Sequence, residues 1–122
     1  MRRSGSDAGA GAGACAGSVT AELALALPAV ILVLGALLGT GQVVGAQLRC
    51  VDAARAAARL AARGEPADPV VAAGQRLAPG GARVEVTLGA QTATVAVSAS
   101  VRLGFGVDVP VGARAVAARE LP

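Results

Sequence analysis

The sequence predicts a membrane-anchored α+β protein. A long N-terminal transmembrane helix continues into a soluble helix, and a short helix and a small three-stranded antiparallel sheet follow. Three observations predict this. From Leu23 to Leu48 no residue is charged and only Thr40, Gln42 and Gln47 are polar, over 26 positions. As a helix that run is about 39 Å long at roughly 1.5 Å per residue, and a bilayer core of about 30 Å takes about 20 residues. Directly beyond it, RCVDAARAAARLAAR is built from the strong helix formers Ala, Leu and Arg. From Ala82 onward the apolar period changes from helical to alternating.

Residues 1–17, MRRSGSDAGAGAGACAG, hold Gly, Ala and Ser behind two arginines. Such a segment buries too little to fold, so a disordered leader is expected. It lacks the apolar middle, about 7–15 residues long, of an ordinary secretory signal. Ala12-Gly13-Ala14-Cys15 has the look of a lipidation box, but no hydrophobic segment precedes it. The apolar run instead begins after Gly17, with Glu22 at its lip. A carboxylate there either lies among headgroups or finds a positive partner, because an unpaired charge on a lipid-facing helix is costly.

Inside the run, Pro28 removes one helical hydrogen bond, which costs about 3 kcal/mol in a soluble helix. Membrane helices tolerate this where neighbours satisfy the freed carbonyl, and a kink is expected. Gly35-x-x-x-Gly39 is a small-xxx-small pattern that lets a second helix approach closely.

Past Leu48 the helix extends into water. Arg55, Arg59 and Arg63 recur every four residues as one stripe, while Val51, Ala54, Ala58, Ala61 and Ala62 lie elsewhere around the barrel. The stripe reads as a solvated face or one touching lipid phosphates, and Asp52 can pair with Arg55. Gly64 followed by Pro66 ends the helix. Asp68-Pro69 reads as an N-cap and first helical residue of a short helix over 69–78, closed by Pro79-Gly80-Gly81. Val84, Val86 and Leu88 then alternate with Arg83, Glu85 and Thr87 on one strand. Val95, Val97, Ala99, Val101 and Leu103 form the apolar side of a second, after a turn at 89–91. Residues 104–110 read as a loop, and 111–119 as a third strand. Such a sheet needs its apolar face covered, and either the short helix or the end of the long one is available. The organisation is therefore 1–17 leader, 18–64 transmembrane helix (about 23–48) with its Arg/Ala-rich extension, and 65–122 a small α+β domain.

Composition excludes several functions. The 122 residues contain no His, Trp or Tyr, all eleven basic residues are Arg, and Phe105 is the single aromatic. Without His there is no ready general base near neutral pH and no imidazole ligand for a metal. Glu65 and Asp68, the only close pair of acids, flank a turn. Cys15 and Cys50 are too few for a disulfide framework or a zinc site. If the leader is removed, Cys50 remains as a single thiol near the membrane surface, either inert or paired between molecules. A formal charge of +3 without stacking aromatics does not make a nucleic-acid surface. No enzyme, cofactor, metal, nucleic-acid partner or small-molecule substrate is expected.

Gly17-Ser18-Val19-Thr20-Ala21-Glu22 ahead of an unbroken apolar helix resembles the processing site of type IV prepilins. With Glu22-Leu-Ala-Leu-Ala-Leu-Pro28 and Asp52-Ala-Ala-Arg-Ala-Ala-Ala-Arg59 added, the chain from Gly17 to about Glu65 resembles the TadE family. These are minor pilin-like proteins of Flp-type (Tad) pili, and the resemblance is to its actinobacterial branch. It implies that a prepilin peptidase cuts after Gly17, so that Ser18 carries a free ammonium and Glu22 becomes the fifth residue. Glu22 would then pair with such an ammonium on a neighbouring subunit during assembly. Pro28, Gly35 and Gly39 would shape helix packing. The implied partners are the membrane, the peptidase, other pilin subunits and Tad pilus assembly proteins.

Topology sets two arguments against each other. Arg49, Arg55, Arg59 and Arg63 outnumber Arg2 and Arg3, which by the positive-inside rule places the C-terminus in the cytoplasm. The resemblance implies the reverse, and is preferred: leader cytoplasmic, single span in the cell (inner) membrane, C-terminal domain outside or in an extracellular pilus. The alternatives are an uncut single-pass accessory protein whose exposed domain binds a secretion or envelope partner, and a cytosol-facing protein whose Arg stripe binds anionic lipid.

Overall fold

The computed structural model describes the backbone of residues 7–120 and the side chains of residues 17–120. The elements, in order, are α1 (Asp7–Ala62), α2 (Ala67–Leu77), β1 (Arg83–Leu88), β2 (Thr92–Arg102), a 3-10 turn (Gly104–Gly106) and β3 (Asp108–Ala118). Two compact units divide the chain, Met1–Leu38 and Gly39–Pro122.

The first unit consists of the N-terminal part of α1. Its backbone is helical from Asp7, so residues 7–17, expected as part of a disordered leader, join the helix in the structure. Alanine at alternate positions and the lack of proline before Pro28 permit this. Every side chain from Gly17 to Leu38 is exposed, including Leu25, Ile31, Leu32 and Leu38. An apolar helix that none of the described residues covers suits another apolar medium. Its length and composition suit a membrane crossing.

The second unit is a helix–sheet sandwich built on the end of α1. Ala46, Cys50, Ala53, Ala54, Ala57, Ala58 and Ala61 form the buried stripe of that helix, at the three- and four-residue spacing of one face. Their partners are Val70 of α2, Val84 of β1, Ala93, Val95 and Val97 of β2, and Val111 of β3. The sheet is covered by both helices together. Its largest fully buried side chains are Val70, Val95, Val97 and Cys50, so the core is thin. Small side chains compensate by bringing backbones close. At Gly74 of α2 an added Cβ would lie 3.1 and 3.2 Å from the Val84 methyls and 3.6 Å from Ala57 Cβ.

The strands form an antiparallel meander in the order β1-β2-β3. β2 pairs with β3 along its whole length, Thr92↔Ala118 to Arg102↔Asp108, but with β1 only as far as Arg83↔Ser98. The inward alternation of Val84, Val86, Val95 and Val97 matches the sequence pattern. Leu88 does not follow it and is 54% exposed. It closes an edge strand at the hairpin, where it has a neighbouring strand on one side only.

Two further boundaries differ from expectation. α2 starts at Ala67, with Pro66 in the N-cap position and no side-chain cap, so Asp68 lies within the first turn and favours the positive helix end instead of capping it. β3 starts at Asp108, so the expected loop over 104–110 shrinks to a tight connection. Pro110 is tolerated inside β3 because it shares its parity with Gly112, whose N–H and C=O point to the free edge of the sheet. No ladder donor is lost there.

Gln47 holds that free edge. Its Nε2 donates to the Gly112 carbonyl at 2.6 Å and its Oε1 accepts from the Gly112 N–H at 3.0 Å, so the carboxamide pairs with β3 as a peptide would. At the far end of α1, Glu65 N–H donates to Leu60 O and Gly64 N–H to Ala61 O, with Gly64 at φ 87°. This is a Schellman close. The residues after β3 tie these parts together: Arg119 N–H donates to Gln91 O, and Glu120 N–H to Ala62 O, one of the carbonyls left open at the helix end.

Gly74→Val is expected to destabilise the second unit by about 1–3 kcal/mol through overpacking, whereas Ala72→Val on the exposed side of α2 costs no more than about a few tenths. Thermal unfolding of the full chain in detergent, followed by far-ultraviolet circular dichroism, checks the difference.

Candidate functional site

The residues singled out by sequence all lie on α1. Gly17 and Ser18 share one turn of its N-terminal part and Glu22 lies on the next, each exposed. Gly17 has open space where a Cβ would stand. Glycine inside a helix is weaker than alanine by about 1 kcal/mol, so this turn is an easy place to unwind the backbone into an extended strand. Ser18 and Glu22 are four residues apart and share a face. A positive group created at residue 18 would therefore lie one turn from the carboxylate of its own chain, and equally within reach of a neighbouring helix placed one turn out of register.

Pro28 lies inside α1, which continues through it as one element. Gly35 faces open space. Gly39 is used within its own unit: the side chain of Leu103, at the end of β2, lies 3.7 Å from where its Cβ would be. The two glycines therefore have different surroundings, and Gly35 is the one whose small surface stays open.

Beyond α1's apolar run, Arg55, Arg59 and Arg63 are exposed, as a solvated stripe requires. Cys50 has no exposed surface, and desolvation raises its thiol above its ordinary value of 9.0. A buried thiol kept protonated is neither a nucleophile nor accessible to a second chain. Gln47 is the structural residue that pattern reading passed over, because a polar side chain in an apolar run carries no mark of its strand partner.

These features define a class: a chain whose exposed apolar helix is suited to a single membrane crossing, carrying a small α+β unit on the same helix. The family described as TadE-like protein matches residues 17–59, beginning at Gly17 and taking in Glu22, the apolar run and the Ala/Arg segment. Apoptosis inhibitor Rv3655c of Mycobacterium tuberculosis is 38% identical over 99 residues, covering 81% of this chain and 77% of that protein. The chain belongs to the TadE-like family, a structural, pilus-related family associated with the membrane and with pilus components. No solved structure matches the chain.

Cys50 should resist a maleimide at pH 7.5 in the folded protein and react rapidly once unfolded. The raised native pKa also sets a sign: the unfolded thiol ionises first, so this group's contribution to stability is full below about pH 9 and falls as pH rises beyond it. Mass-resolved labelling against denaturant and pH checks both.

Proposed function

We propose that this chain is a minor pilin-like subunit of a Flp/Tad type IV pilus, cut after Gly17 by a prepilin peptidase and acting in pilus assembly. The observation that carries the reading is the start of the family match at Gly17, with Glu22 at the fifth position after it. Cleavage there releases residues 1–17 with both leader arginines and leaves Ser18 as an N-terminal ammonium at the head of the apolar helix. Glu22 neutralises such an ammonium on the adjacent subunit. In lipid, neither charge is tolerable alone, so the pair favours one axial offset between neighbouring helices. Gly35 offers the close approach that such packing needs.

On this reading the leader lies in the cytoplasm, where the peptidase acts, the helix in the cell membrane, and the α+β unit on the outer side. The positive-inside count argues for the opposite orientation, and this reading sets against it the need for the leader to face the peptidase. The small unit on the helix end suits a minor or accessory subunit, since it adds a folded surface that helix packing alone does not require. The name of the mycobacterial relative describes a role for that protein and supplies none of these steps.

The intact mass and N-terminal sequence of the protein extracted from its native host should show a chain beginning at Ser18. Replacing Gly17 with a bulky residue should leave it beginning at Met1. Glu22→Ala should abolish assembly while leaving membrane insertion unchanged, measured as pilus yield against membrane-fraction abundance. A wild-type chain that keeps Met1 would reduce the protein to an uncut single-pass accessory anchor.

A further inference from the structure

The connection between β2 and β3, Leu103-Gly-Phe105-Gly-Val107, is the least expected surface of the second unit. Phe105 is the one aromatic in the chain, and its side chain is wholly exposed. Its backbone sits in the left-handed region at φ 68°, which a bulky residue adopts only when its surroundings impose it. The surroundings do so here. The Leu103 N–H donates to the Val107 carbonyl at 2.7 Å, and Arg102 faces Asp108 at 3.6 Å across the base. Val107 is also exposed. A closed tip thus holds its largest apolar side chain outward, a posture that water does not favour.

The position of the tip identifies what it meets. Leu103 packs on Gly39, and Gly39 lies within the charge-free run Leu23–Leu48. If the bilayer takes the first 20 or so residues of that run, Gly39 falls within about 5 Å of the level where hydrocarbon gives way to headgroups. Exposed apolar side chains such as Phe, held at that depth, are what interfacial anchors bury at the headgroup boundary. Beside the tip, Gln42, Gly45 and Arg49 of α1 line an open groove of about 410 Å³ with Gly80 and the β2 residues Ser100 and Val101. This is where β2 runs beyond β1, whose pairing stops at Arg83↔Ser98. By the ladder's alternation, the Ser100 backbone groups face that gap unpaired. No acidic residue lines the groove, and Arg49 is exposed. Arg49 stands about two helical turns beyond Gln42. A guanidinium there, flanked by amide donors, matches a phosphodiester just outside the hydrocarbon.

We propose that the β2–β3 tip is an interfacial membrane anchor. Phe105 inserts among the lipid chains near the headgroups, and Arg49 in the adjoining groove takes a lipid phosphate, so that the second unit is seated on the bilayer. This rests on α1 crossing a bilayer and not on cleavage at Gly17, and it holds for either orientation of the chain.

The absence of tryptophan makes the test direct. Phe105→Trp in the full chain, reconstituted in vesicles, gives a single reporter at the tip. Leu88→Trp gives a control at the opposite end of β2, about 30 Å away along the strand. Phe105→Trp should emit at shorter wavelength, be quenched by lipids brominated near the headgroup, and resist aqueous iodide at least threefold better than Leu88→Trp. Adding Arg49→Gln should cut the brominated-lipid quenching by about half in vesicles containing phosphatidylglycerol. Equal iodide quenching at the two positions overturns the proposal. So does protection that disappears on diluting protein in lipid, because that would assign the tip to a second copy. Anionic-lipid quenching unchanged by Arg49→Gln overturns the phosphate assignment. A chain that starts at Met1 yet passes these tests would remove the pilin reading and leave the anchor.

Discussion

The structure depends on one uninterrupted helix serving two solvents. Along Gly17–Leu38 α1 exposes leucine, isoleucine and valine on all sides. A few turns later it presents alanine on one face to a sheet and arginine on another to water. The backbone hydrogen bonding is the same throughout, since a helix satisfies its own polar groups in either medium. Only the side chains change, and they change with the environment each segment must enter. The sheet, α2 and the chain's end are all arranged around the last turns of this helix.

That arrangement explains why the second unit is built from such small residues. One helix supplies most of the surface on which both α2 and the sheet must rest, and large side chains along its buried stripe would hold them apart. Alanines at 46, 53, 54, 57, 58 and 61 let the sheet come to the helix, and Gly74 lets α2 approach Val84 and Ala57. The cost is a core with little apolar area per residue. Specific polar closures offset part of it. Gln47 pairs with the β3 edge, the Schellman turn at Gly64 closes α1, and the Glu120 amide reaches the carbonyl of Ala62. The Gln47 closure also blunts an exposed strand edge, which would otherwise invite pairing with another chain.

The functional chemistry is correspondingly sparse and positional. On the readings proposed above, Glu22 would act through its place where the apolar run begins, and Phe105 through a loop that reaches the level of Gly39. Neither residue belongs to a catalytic cluster, and among the described residues no group of three or more potential metal ligands is assembled. The free energies at stake are those of placing charge and apolar surface at defined depths in a bilayer.

Most of the architecture was legible in the residues because it follows from local rules. A long charge-free run specifies a helix for lipid, Gly64 stops a helix, and alternating valines specify strands. The candidate segment from Gly17 to Glu22 is a contiguous spacing, and the family match begins at its first residue. What could not be read were the features that depend on residues far apart in the chain. A local exception is Asp68, which has the chemistry of a cap, yet Pro66 takes the position and Asp68 lies in the first turn. Pro110 signals a loop, yet its parity on an edge strand makes it harmless. The pairing of Gln47 with Gly112, 65 residues away, and the contact of Leu103 with Gly39 have no local signature at all. Sequence by itself determined the main helices and strands and the membrane-compatible run, though not the helical start at Asp7 or the strand start at Asp108, because those elements carry clear periods of two or about 3.6 residues. Tertiary structure alone decided which helical face meets the sheet, which edge is closed and where the aromatic tip points, because those are set by the packing of backbones that only folding brings together.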